Sequence, residues 1–273
     1  MTERRAHARS GHQQEYSTIR TETKDRVAIL RFNRPEKLNP LSATTFREVS
    51  HYLDRTQDGQ QEAEALVLTG EGRAFVAGAD IDDYVDMGLA EYSAFQWLGR
   101  AMTDRIQAVS CPVIAAVNGY ALGGGFEVAL ACDIIVASEN ATFGLPEAKL
   151  GLLPGGGGTQ RLPRAVGPYV AKRLILSGET MDAVRAYQLG IVTEVVPQGQ
   201  ALAAALNLAQ KILACGPRAV RMGKRLIGEG LESSLATGLS LEMDSTAHLF
   251  VTADKQEGIQ AFQDRRPPRF SGR

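Results

Sequence analysis

The chain has 273 residues, 44% of them hydrophobic, with 30 Lys and Arg against 31 Asp and Glu for a net charge of -1. That length buries a sizeable core without staples, and the balanced charge gives no footing for nucleic acid or another polyanion. Cys111, Cys132 and Cys215 are odd in number and far apart, with no Cys/His spacing, so neither a disulfide framework nor a metal site is expected and a reducing, cytoplasmic location is.

Residues 1–15 carry Arg4, Arg5 and Arg9 without the apolar segment of a secretory signal, and read as a disordered tail. Val27 to Phe32 is a β-rich run stopped by Asn33-Arg34-Pro35, and Leu41 to Leu53 follows as a helix with Ser42 as its N-cap. Ala65 to Thr69, Val113 to Val117 and Asp133 to Ala137 repeat the pattern of a short buried strand closed by a turn. The stretch Cys111 to Ser138 is the most apolar, yet it holds Asn118, Glu127, Asp133 and four glycines, which excludes a membrane span. Asp182 caps a short helix ended by Gly190, and Ile191 to Val196 is strand-like.

From Ala201 onward the apolar spacing is helical: Leu202, Leu206, Ala209 and Leu213, then Leu231, Leu235, Leu239 and Met243. These faces are expected to pack internally or between subunits. Strands alternating with helices make the fold class α/β, with a core over 16–199 and a helical C-terminal subdomain over 200–273. The 28 glycines exceed the usual share of about 7%, so close backbone turns recur.

Three of those turns could carry chemistry: Gly78-Ala79-Asp80, Gly123-Gly124-Gly125 and Gly155 to Gly158. A glycine turn opening a helix aims unpaired N–H groups outward and can hold an anion, although glycine also serves simply to make a tight turn. Thr159-Gln160-Arg161 after the third run is not the Lys-Ser/Thr of a P-loop, and Gly-Gly-Gly-Phe-Glu misses the dinucleotide fingerprint. Only four histidines occur and two lie within the first 15 residues, so carboxylates are the better acid and base. Glu127, in the first turn after the triple glycine, and Glu147, after Pro146, sit in apolar or glycine-rich surroundings that would raise a carboxyl pKa. Taken singly, each could equally complement a helix dipole.

Four segments taken together go further: Asn33-Arg34-Pro35-Glu36-Lys37-Leu38-Asn39, Gly72 to Ile81 (GRAFVAGADI), Pro112 to Glu127 (PVIAAVNGYALGGGFE) and Phe143 to Arg164 (FGLPEAKLGLLPGGGGTQRLPR). They resemble the enoyl-CoA hydratase/isomerase, or crotonase, family, in consistent order over about residues 16–267. The resemblance implies a spiral of ββα units with a helical C-terminal region used for trimers, commonly paired into hexamers. It implies acyl-CoA substrates and no cofactor, coenzyme A being part of the substrate. By position, the Ala79 and Gly124 N–H groups match the donors to the thioester oxygen, and Glu127 and Glu147 match the two glutamates of the hydratases. Lys37, Leu38, Ala77, Asp80, Ile81 and Phe262 match the coenzyme A side of the site; Arg265 matches a basic position that can reach a phosphate, including one of a neighbouring subunit's ligand.

The activity so implied is addition of water to the 2,3 double bond of an enoyl-CoA, with Glu127 as base toward water and Glu147 as proton donor to the α-carbon. Alternatives within the family are an isomerase or a hydratase or dehydratase for a branched, cyclic or aromatic acyl group. An acyl-CoA-binding or RNA-associated relative without activity is a third. Phe126, before the first glutamate, is expected to narrow or reshape the site, and Trp97 is expected in the core.

Overall fold

The computed structural model describes residues 16–57 and 63–273, so the expected tail at 1–15 lies outside the described residues. β1 (Ile19–Lys24) and β2 (Val27–Phe32) form an antiparallel hairpin through Asp25 and Arg26, both at positive φ (48° and 65°). Two such residues make the turn whose twist matches that of paired strands. β1 escapes sequence patterning because it is an edge strand in which only Ile19 is buried.

β2 continues through parallel pairing into β3 (Ala65–Gly70), β5 (Val113–Val117), β7 (Ile134–Ser138) and β10 (Glu194–Val196), completing a six-stranded sheet in the order β1-β2-β3-β5-β7-β10. A second sheet of short strands runs β4 (Ala74–Ala77), β6 (Tyr120–Leu122), β8 (Thr142–Gly144) and β9 (Thr180–Asp182), in that order. Each pass of the chain lays one strand in the large sheet, turns, lays a short strand in the small one, and leaves through helical chain. β3 and β4 precede α2 (Ile81–Tyr84) and α3 (Leu89–Ala108), β5 and β6 precede α4 (Gly124–Ala131), and β7 and β8 precede a 3-10 turn (Pro146–Leu150) and α5 (Gly158–Val166). This is the expected spiral of ββα units.

The turns are held by two asparagines from the recurrent motifs. Asn118 accepts from the Gly70 N–H (3.2 Å) and donates to the Gly72 carbonyl (3.0 Å), joining two successive turns. Asn39, 1% exposed, donates to the Glu71 and Ala74 carbonyls (2.9 and 2.8 Å) and accepts from the Arg34 N–H (2.8 Å). Every one of these groups would cost about 1–3 kcal/mol if buried unpaired.

The large sheet is covered on both faces, which explains its nearly continuous apolar strands. Val27, Ala65, Val67, Ile114, Ala116 and Val136 meet α8 (Ala201–Leu213), whereas the alternate residues Ala28, Leu30, Leu66, Leu68, Val113 and Ala115 join the main core. α1 (Ala43–Gln57) and α3 supply Phe46, Val49, Tyr52, Phe95, Met102 and Ile106 to that core. Ser42 caps α1 as expected, its Oγ accepting from the Thr45 N–H (3.1 Å). α6 (Pro168–Ser177) and α7 (Ala183–Gln188) follow, the latter capped by Asp182.

Beyond residue 200 the described chain is all helix: α8, α9 (Pro217–Leu231), α10 (Leu235–Phe250) and α11 (Ala253–Gln263). The expected α8 stripe turns by one position, because Ala201, Ala205 and Ala209 are the buried residues while Leu202 and Leu206 flank them. Alanines let the helix approach the sheet closely. Residue 200 therefore marks a change of secondary structure, with α8 still packed on the core. α9 is tied down by Lys224, whose Nζ bonds Asp133 (2.8 Å) and the Cys111 carbonyl (2.9 Å). Leu231, Leu235, Leu239 and Met243 are exposed within the chain, between 54% and 78%. Trp97 departs from expectation too: at 73% exposure it lies on the outer side of α3 and outside the core. Among the described residues no helix is long and apolar enough to cross a membrane.

Candidate active site

The short sheet, α3 and the glycine turns enclose a cleft of about 970 Å³ including its mouth, lined by both Glu127 and Glu147. On one wall Leu41 forms a parallel bridge with Ala79: the Leu41 N–H donates to the Gly78 carbonyl (2.9 Å) and the Asp80 N–H to the Leu41 carbonyl (2.8 Å). In a parallel bridge the central residue turns its own N–H away from its partner, so that of Ala79 faces away from Leu41. Gly123 bends the chain from β6 into α4 with φ 52° and ψ -126°, its N–H held by the Gly144 carbonyl (2.9 Å). Gly124, the first residue of α4, carries an N–H that a helix does not pair internally. Ala79 and Gly124 both line the cleft.

Glu127 is 3% exposed. Its Oε1 accepts from the N–H groups of Gly156 (2.8 Å) and Gly158 (2.7 Å). The four-glycine run is thus an anion cradle, and the anion it holds is a carboxylate of the same chain. The Gly156 carbonyl is fixed in turn by Arg161 Nη1 (2.8 Å) and the Thr103 hydroxyl (3.2 Å). A side chain here would push the carboxylate aside, since a Cβ at Gly156 would stand 2.7 Å from Glu127 Oε2. Burial pushes the Glu127 carboxyl up from its ordinary value, opposed by the Gly158 and Gly156 N–H groups and by Arg161.

Glu147 occupies the 3-10 turn after β8 and is half-buried. Its Oε2 is buried without a hydrogen-bond partner among the described residues. Burial raises its pKa to about 7; its own backbone N–H opposes the rise, and the negative charge of Glu127 adds to it. Gly123 makes room for it: a Cβ there would lie 2.9 Å from Glu147 Oε1.

The structure brings Glu127, Glu147, Ala79, Gly124, Ala77 and Ile81 into this one cleft. Asp80 is adjacent in sequence but turned inward, its carboxylate paired with Arg34 (2.7 Å), so it offers a ligand no free carboxylate. Lys37 lies at the surface, bonded to Asp82 (2.8 Å), and the Leu38 carbonyl accepts from the Ala77 N–H (3.0 Å), holding this loop beside β4. Phe262, 85% exposed in the last turn of α11, and Arg265, just beyond that helix, do not line this cleft. Phe126 corrects an expectation: fully buried with its ring 5.4 Å from that of Phe143, it packs into the core and leaves the cleft unnarrowed. A further wall of the cleft carries no recognisable motif in the sequence. It is one face of α3, and its signal is the spacing of Tyr92, Gln96, Gly99 and Thr103 at four, three and four residues.

Comparison with known proteins matches the enoyl-CoA hydratase/isomerase family model to residues 22–273. A probable enoyl-CoA hydratase of Mycobacterium tuberculosis is 43% identical over 258 residues, covering 94% of this chain and 99% of the relative. The crotonyl-CoA hydratase of Syntrophomonas wolfei is 40% identical over 256 residues, covering 93% and 98%. A crystal structure of enoyl-CoA hydratase from Bacillus anthracis superposes with a TM-score of 0.91 at 37% identity, covering 94% of this chain and all of that one.

Proposed function

The chain belongs to the enoyl-CoA hydratase/isomerase family, and from that premise we propose that it is a hydro-lyase adding water across the 2,3 double bond of an enoyl-CoA. The observation that carries this reading is a pair of carboxyls on one cleft in opposite hydrogen-bonding states. Glu127 has one oxygen committed to two backbone donors, which favour its ionised form. Glu147 has a buried oxygen with no donor and a pKa of about 7, which favours its protonated form.

In the proposed step the thioester oxygen accepts hydrogen bonds from the Ala79 and Gly124 N–H groups, which stabilise charge developing there as the enolate forms. Water gives a proton to Glu127 as its oxygen bonds to the β-carbon. The π electrons pass toward the thioester, and the α-carbon takes the proton of Glu147, giving a 3-hydroxyacyl-CoA. A proton returning from Glu127 to Glu147 through the next water resets the pair. Coenzyme A enters only as part of the substrate, met by Ala77 and Ile81 of the cleft lining and by the Lys37-Leu38 loop that is bonded to Ala77.

Two further parts of the reading concern assembly and place. The exposed stripe of Leu231, Leu235, Leu239 and Met243 suits a contact between copies, and Arg265 and Phe262, outside the lining of their own cleft, would then serve a neighbour's ligand. A trimer or a pair of trimers in sedimentation is expected, and a monomer at micromolar concentration would exclude that role. The three free thiols accord with the reducing cytoplasm.

The test is loss of the conjugated-thioester absorbance of crotonyl-CoA, with Glu147→Gln as control. Loss that depends on Glu147, with 3-hydroxybutyryl-CoA as product, supports hydration. A shifted double bond as product would make the protein an isomerase, and no change with any enoyl-CoA would overturn the reading.

A further inference from the structure

The α3 wall carries a polar pair that hydration itself does not use. Gln96 Nε2 donates to the Tyr92 hydroxyl oxygen one turn earlier. Among the described residues this leaves the Tyr92 hydroxyl proton, Gln96 Oε1 and the second Gln96 N–H without partners, all on the cleft wall. The Gln96 amide abuts the Glu127 cradle: a Cβ at Gly155 would stand 2.5 Å from Gln96 Oε1. The pair is therefore within reach of an acyl chain extending past the reacting carbons.

Its surroundings are aromatic. The Tyr84 ring lies 6.0 Å from that of Tyr92 and 5.8 Å from that of Phe95, and Phe95 lies 5.1 Å from Phe46. Among the described residues no Lys, Arg or His lines the cleft, whose ionisable carboxyls are Glu127 and Glu147.

We propose that Tyr92 and Gln96 are specificity-determining residues for the acyl group, and that the preferred substrate is an enoyl-CoA with an uncharged acyl chain bearing a hydroxyl group beyond the β-carbon. A hydroxyl both accepts and donates, so it meets the Tyr92 proton and Gln96 Oε1 at once. An alkyl chain strips water from both groups and replaces none of their hydrogen bonds. A carboxylate can accept from the Tyr92 hydroxyl and the second Gln96 N–H, but it leaves Gln96 Oε1 without a donor, shares the cleft with two further carboxyls and meets no cation among the described lining residues.

The proposal rests on the acyl-CoA reading and is tested by binding, without turnover. Dissociation constants of four saturated, unreactive thioesters are measured by calorimetry on the full chain: hexanoyl-, 5-hydroxyhexanoyl-, 6-hydroxyhexanoyl- and adipoyl-CoA. At least one hydroxylated chain is expected to bind about tenfold tighter than hexanoyl-CoA, from one to two net hydrogen bonds, and adipoyl-CoA about tenfold weaker or worse. Tyr92→Phe and Gln96→Leu should each shrink the hydroxyl preference by about fivefold or more, as a ratio within each variant. Gly155→Ala, which displaces the Gln96 amide without removing it, should do the same.

Equal affinity for hexanoyl and both hydroxylated chains, equal affinity for adipoyl-CoA, or a preference unchanged in folded variants would overturn the proposal. The hydration reading fails separately: the binding order could hold while crotonyl-CoA stays unreacted, which would remove the hydratase and keep the pocket. Should one variant not fold by circular dichroism, the other two decide.

Discussion

Two regions bring a glutamate to the same cleft and treat it in opposite ways. The loop at 155–158 surrounds Glu127 with backbone N–H groups, fixed from behind by Arg161 and Thr103. The turn at Pro146–Leu150 buries one oxygen of Glu147 and gives it no donor. Burial alone raises both carboxyls, and the supply of N–H groups separates them into one that favours its ionised form and one that favours its protonated form, the split that the proposed base and acid require.

The sharpest way to break this contrast is to remove either charge. Glu127→Gln and Glu147→Gln should each lower kcat on crotonyl-CoA by about 10² to 10⁴ with little change in affinity for a saturated thioester. Steady-state rates paired with calorimetry check this, and unchanged turnover in both would refute the assigned roles.

Crowding the cradle comes next. Gly156→Ala must displace the Glu127 carboxylate, since the new Cβ meets Oε2 at 2.7 Å, and a fall of about 10² in kcat is expected from misplacement alone. If Gly156→Ala kept wild-type kcat, the cradle would not be what aligns the base.

A subtler change leaves the glycines in place. Arg161→Met removes a cation that favours ionised Glu127 and loosens the Gly156 carbonyl, so kcat should fall about tenfold. The sign in pH follows from the two roles. Glu147 must be protonated, so activity declines as pH rises through about 7; Glu127 must be ionised, so activity declines as pH falls through its raised value. Losing Arg161 should move the acid limb of the kcat/KM profile upward, and a downward shift or none would contradict the electrostatic part. The two limbs belong to the pair as a unit.

The smallest effect is the control. Asp182 is a carboxylate with a purely structural post, accepting from the Arg185 N–H (2.7 Å) to cap α7. Asp182→Ala should cost about 1 kcal/mol in urea unfolding and leave kcat unmoved, whereas a large rate effect would mean that α7 bears on the site.

Legibility from sequence followed burial on both faces. β2, β3, β5 and β7 announce themselves as apolar runs because helices cover the large sheet on each side, and the caps Ser42 and Asp182 are local. The strands of the small sheet, three to four residues each, and the edge strand β1 are too short or too polar to show a period. Trp97, exposed, and Phe126, in the core, both depart from expectation, since size and apolarity do not tell which side of a helix meets the core.

By itself the sequence determined the α/β class, the two glutamates and the glycine turns beside them, because those signals are local or carried by motifs of fixed spacing. Only the tertiary structure decided that Gly156 and Gly158 hold Glu127, that Asp80 belongs to Arg34, and that one face of α3 closes the cleft. Glu127 and Gly156 lie 29 residues apart, and whether a donor reaches an acceptor over such a span depends on how sheets and helices pack, which no local pattern encodes.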